Sequence, residues 1–107
     1  MSVNINFSFE IHKISWIHEE GNDELRNRAI KETEAFLEGE NMHLGDFIID
    51  FLGQEGYLAA YSTYPVIISR SYLYIPEVTK RWEEHARKLF GERCEPKMNE
   101  EYPDEEI

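Results

Sequence analysis

Two aspartates four residues apart, Asp46 and Asp50, interrupt the apolar stretch LGDFIIDFLG, and His43 stands just before them. On a helix these three side chains would share one face, a spacing that suits a divalent metal ion. Three ligands from one helix, without a second segment, seldom complete a site, so a solvated polar face is the better reading. His18, Glu19 and Glu20 begin like a zinc-binding HExxH motif but lack the second histidine at helical spacing. Cys94 lies beside Glu92 and Glu95, carboxylates that raise a thiol's pKa and leave it inert. There is no glycine-rich phosphate loop and no pair of CxxC motifs. Carboxylates are numerous enough to furnish a general acid and base anywhere, so their number singles out none. These residues point to no catalytic group, no metal and no cofactor.

The elements that must carry these residues follow from periodicity. VNINFSFEI alternates strictly, placing Val3, Ile5, Phe7, Phe9 and Ile11 on one face of a strand over residues 2–11. The phase slips near His12–Lys13, and residues 14–17 read as a bulged continuation or a second short strand. In GNDELRNRAIKETEAFLEGE, Leu25, Ala29, Thr33, Phe36 and Leu37 form a helical stripe that Asn22 or Asp23 caps and Gly39 ends. LGDFIIDFLG reads best as a second helix. There Leu44, Phe47, Ile48, Phe51 and Leu52 gather on one side, whereas a strand would seat Asp50 among core residues at a high desolvation cost. Residues 57–62 and 66–75 read as strands about a turn at Thr63–Pro65. A last helix starts near Pro76 and buries Val78, Trp82, Ala86, Leu89 and Phe90. The expected order is β-α-α-β-β-α, a single small α+β domain over residues 1–91 with an antiparallel sheet packed by helices. Residues 92–107 are expected to form an acidic tail, of which residues 99–107 add little to folding. The expected core holds Phe7, Phe9, Phe36, Phe47, Phe51, Ile68, Trp82 and Leu89.

Charge narrows the function. The chain has 107 residues, 22 acidic and 11 basic, and a net charge of −11. Such a balance opposes direct binding to nucleic-acid phosphates and favours a basic partner. Between residues 18 and 55, eleven acids stand against three bases, whereas residues 70–97 hold seven bases and five acids. No apolar run reaches the roughly 20 residues of a membrane helix, and the N-terminus lacks the pattern of a signal peptide. The single cysteine fits a reducing, cytoplasmic setting. Asp46 and Asp50 on one helix would repel by a few tenths of a kcal/mol, a cost that a partner's cation could relieve.

Five of the six tyrosines fall between Tyr57 and Tyr74, in a hairpin suited to contact. Asp46, Asp50, Glu34 and Glu38, with Tyr61, Tyr72 and Tyr74, are therefore the candidate partner-binding residues. In size, acidity and tyrosine use the chain resembles the immunity proteins of bacterial toxin systems, those of contact-dependent growth inhibition in particular. The resemblance implies an inhibitor that occludes the active site or substrate surface of a cognate toxin domain, often a basic nuclease, and that is no enzyme itself. It is expected to act as a monomer or weak dimer, away from membranes. A nucleic-acid mimic of the anti-restriction kind is an alternative, opposed by the seven bases of residues 70–97. A small enzyme or enzyme accessory subunit is another, and it would require a pocket holding a strongly shifted carboxylate or histidine.

Overall fold

The ten-residue strand β1 (Val3–His12) organises the molecule, a computed structural model that describes residues 3–53, 56–68 and 74–102. Its alternation sorts as expected. Ile5, Phe7, Phe9 and Ile11 are buried, while Asn4, Asn6, Ser8 and Glu10 lie half-buried on the other face. The phase slips at Lys13, whose φ of 62° turns the chain. Residues Ser15–His18 then form a short 3-10 turn, not the second strand expected there, and Ile14 and Ile17 anchor it in the core.

Two α-helices follow the predicted stripes. In α1 (Asp23–Gly39), Ala29, Thr33 and Leu37 are buried. In α2 (Tyr74–Phe90), Val78, Trp82, Ala86, Leu89 and Phe90 are buried. Helix α2 begins at Tyr74, so the strand expected over residues 66–75 ends sooner. Pro76 sits in the first turn of α2, where its missing N–H costs no helical hydrogen bond. The described part of that strand is β4 (Val66–Ile68). Between the two helices, Glu40 is buried and accepts both Nε (2.6 Å) and Nη2 (2.8 Å) of Arg81 and the hydroxyl of Tyr74 (3.0 Å). The buried carboxylate is thus fully partnered, as a charge removed from water must be.

Residues Phe47–Leu52 form strand β2, which corrects the helix expected for this stretch. Asp46 lies in a preceding 3-10 turn (Leu44–Asp46), so the two aspartates do not share a helix face. The physical reason is the sheet's asymmetry. Phe47, Ile49 and Phe51 turn toward the core, while Ile48 and Asp50 are exposed on a face that no described helix covers. The desolvation cost that argued against a strand therefore never arises. Adjacent β-branched Ile48 and Ile49 favour the extended form, and Gly45 weakens a helix.

Residues Glu95–Glu101 form strand β5, so this part of the expected acidic tail belongs to the sheet; residues 103–107 lie outside the described residues. β5 lies antiparallel to β1 from Asn6↔Glu101 to His12↔Glu95. On the opposite edge of β1 lies β3 (Tyr57–Ser62), from Ser8↔Tyr61 to Ile11↔Leu58, and β2 pairs with β3 beyond it. β4 pairs with the first residues of β1. The result is a five-stranded antiparallel sheet in an α+β fold. Between Ser8↔Tyr61 and Ile5↔Val66, β1 advances three residues while the facing chain advances five, so two extra residues bow out around Thr63–Pro65. Ser62 Oγ fills the interrupted ladder, accepting from Phe7 N–H (2.9 Å) and donating to Phe7 O (3.3 Å).

Phe9 centres the core. Its ring lies 5.2 Å from Trp82, 5.8 Å from Phe36 and 6.5 Å from Phe47. Of the expected core, Phe7, Phe9, Phe47, Trp82 and Leu89 are buried; Phe36 and Phe51 are half-buried against them. The side chain of Ile68 lies outside the described residues.

His85 touches this core from α2. Its ring lies 5.1 Å from both Phe36 and Trp82, and its Nε2 is 3.1 Å from the hydroxyl of buried Thr33. Burial drives its pKa down to about 4 from 6.5, with Glu32 opposing and Lys88 assisting. The unfolded chain therefore takes up a proton at His85 between about pH 6.5 and 4 while the folded chain does not. Stability is full above pH 6.5 and falls as pH drops through this window, by about 3 kcal/mol in all. Thermal midpoints measured from pH 7.5 to 4 should decline less for His85→Gln than for the parent. Parallel curves would show that another group carries the acid sensitivity.

Candidate functional site

With both helices on one side of the sheet, the other side is left as a continuous polar and aromatic surface. Pairing fixes its rows. Ile48, Tyr61, Ser8 and Asn99 make one; Asp50, Ala59, Glu10 and Lys97 make the next. Leu52 pairs with Tyr57, whose ring stacks on His12 at 4.3 Å, and His12 pairs with Glu95. Glu101 faces Asn6 at the far end of β5.

The carboxylates of this face fall into two kinds. Glu10 accepts from His12 Nε2 (2.6 Å) and from Ser8 Oγ (2.8 Å). Burial alone would raise its pKa, but the hydrogen bonds of His12 and Ser8, with the positive charge of Lys97, outweigh it and hold the carboxyl below its ordinary value. Glu95 is likewise held low, by hydrogen bonds from Lys13 (2.9 Å) and Lys97 (3.3 Å). Asp50 and Glu101 make no ion pair among the described residues, so their charge is available to a partner. Asp50 Oδ1 accepts the N–H of Phe51, at 2.8 Å.

Where the ladder opens at Ser62, a groove of about 630 Å³ crosses the face, lined by Ser8, Glu10, Tyr61, Ser62, Asn99 and Glu101 among others. Its rim combines hydroxyls, amides and the carboxylates of Glu10, Glu100 and Glu101 with the ring of Tyr61, a set that accepts hydrogen bonds from a cationic side chain. A smaller hollow of about 330 Å³ lies at the end of β1, lined by His12, Lys13, Ser15 and Tyr57.

The candidate residues read from the sequence do not form one surface. Asp50 and Tyr61 lie on the open face. Asp46 is half-buried in the turn before β2. Glu34 and Glu38 project from α1, in the helical layer. Tyr74 is only 5% exposed and is committed to Glu40, which removes it from any contact surface. Tyr72 lies outside the described residues. Glu10, His12, Ile48, Tyr57 and Glu101 join the face instead. The alternation of β1 already placed Ser8 and Glu10 opposite the core; the others required knowing that residues 47–52 and 95–101 are strands.

Among the described residues no three histidine, cysteine, aspartate or glutamate side chains converge as metal ligands. Cys94 is buried, its pKa raised first by that burial, and its Sγ–H donates to Gly91 O at 3.2 Å. No described helix is long and apolar enough to cross a membrane. No family model, no curated protein and no solved structure matches this chain.

Proposed function

We propose that this chain is a cytoplasmic inhibitor of the immunity type, which binds a basic protein through the open face of its sheet and neutralises it by occlusion. The observation that carries this reading is the grouping of Asp50 and Glu101, neither of them ion-paired among the described residues, with Tyr61, Tyr57 and the 43% exposed Ile48 on one surface that no described helix covers. Carboxylates would take the place of substrate phosphates against the partner's lysines and arginines, while the aromatic and aliphatic groups fill the apolar gaps between them. A nuclease toxin domain has the surface to match. Lys13 and Lys97, which break the negative charge near Glu95, fit a protein interface better than imitation of a nucleic-acid backbone.

The test is a pair of charge reversals. A partner is captured on the immobilised chain, identified by mass and produced separately, and its affinity is measured at low and moderate salt. Asp50→Lys with Glu101→Lys should weaken binding at least a hundredfold at low salt, and the salt dependence of the remainder should flatten. Glu34→Lys with Glu38→Lys, on the helical layer, should weaken it by less than tenfold. The reverse ranking would move the interface to α1.

A further inference from the structure

The structure assigns the outer edge of β2 as a strand-docking site for an extended segment of the partner in which apolar and basic residues alternate. This inference rests on the basic partner proposed above and specifies how that partner engages. β2 pairs with β3 through one edge only, and no described strand lies along the other. In an antiparallel ladder, alternate residues direct their N–H and C=O toward the neighbour and the rest direct them away. The odd residues of β2 direct theirs away. Phe47 N–H turns back to Leu44 O, and Phe51 N–H is taken by the side chain of Asp50 at 2.8 Å. Ile49 lies between them, so its amide and carbonyl face outward and meet no described group.

The sheet's other edge is built differently. β5 carries Pro96, which has no N–H to offer, and the charged Lys97, Glu100 and Glu101, the features that discourage strand addition. β2 has no proline, and Asp50 is its only charge. The Asp50 carboxylate therefore acts as a latch on the edge, covering the Phe51 donor. A lysine or arginine arriving opposite Asp50 draws the carboxylate to itself and releases Phe51 N–H to an incoming carbonyl. The charge that is recognised also opens the edge.

Charge decides the occupant. A second copy of this chain would set Asp50 and its net charge of −11 against themselves. A cationic segment meets no such opposition. Its side chains opposite Ile48, Asp50 and Leu52 would extend the open face, and those opposite Phe47, Ile49 and Phe51 would turn toward the helical side, which dictates alternation of basic and apolar residues.

The probe is a blocked six-residue peptide of alternating valine and lysine, added at millimolar concentration to the isotope-labelled chain. Its counterpart is the same peptide with every valine N-methylated, which keeps the charge but cannot bond to β2. The first peptide should slow hydrogen exchange at Ile49 N–H at least tenfold and shift the resonance of Phe51 N–H; the methylated one should do neither. If both peptides shift Asp50, Tyr61 and Glu101 while Ile49 exchanges as before, the docking edge is refuted and the acidic-face reading stands. Equal protection by both peptides, or binding by neither, also overturns the docking edge.

Discussion

Ending the chain after Arg93 is expected to abolish its cooperative unfolding transition. Seven consecutive residues of β1, Asn6 to His12, would lose their partners on β5. The β1 amides and carbonyls directed to that side would lose their strand partners, and α2 would lose the strand it packs against. Met98 and buried Cys94, both packed against the core, would go with the strand. The ladder and the apolar cover over the core are lost together, against a total stability of only roughly 5–15 kcal/mol for a domain of this size. A chain ending after Tyr102 keeps every strand and serves as the reference. Near-ultraviolet circular dichroism through a guanidinium titration gives the readout. If the shorter chain retained a sigmoidal transition near the reference midpoint, β5 would be an accessory to the sheet, not a member of it.

Trp82→Ala is expected to cost about 3–5 kcal/mol, the usual range for emptying an aromatic site in a packed core. Trp82 is fully buried, with Phe9 and Phe36 each 5.2 Å away and His85 at 5.1 Å. Its Nε1–H also donates to Glu10 O at 3.0 Å, tying α2 to the middle of β1. Trp82→Phe keeps most of the ring contact and loses that bond, so it should cost distinctly less. Denaturant midpoints compared at unchanged slope separate the two contributions. A loss below about 1 kcal/mol for the alanine variant would mean that the neighbouring rings close over the gap.

What could be read from the sequence was set by how much each segment depends on others. The alternation of β1 and the stripes of α1 and α2 are local statements of which side meets the core, and they hold. LGDFIIDFLG fits both a helical and an extended period. The choice turns on whether the face that carries Asp50 is covered, which only the placement of the helices decides. The segment EPKMNEE has one strongly apolar residue, Met98, and no period of its own; it is a strand because β1 presents a free edge to it. The candidate surface inherits these limits. Ser8 and Glu10 were legible from β1, whereas Asp50, Tyr61 and Glu101 share a face only once β2, β3 and β5 are assembled around β1.

The position of β1 also shapes how the chain comes to be folded. The first strand of this sheet in chain order is its centre, yet neither neighbour of its Ser8–Ile11 segment is local. Ser8 meets Tyr61 on one side and Asn99 on the other, and Asn6 meets Glu101. The closest strand pair in the sequence is the hairpin of β2 and β3, joined between Leu52 and Tyr57. Contacts of such separation slow folding, since the chain must close long loops before any contact repays the lost freedom. On the ribosome, the apolar face of Ile5, Phe7, Phe9 and Ile11 emerges before its partners, and its sheet cannot be completed until β5 has left the exit tunnel. During synthesis the apolar face of β1 therefore waits longer for its strand partners than that of any other strand in the sheet.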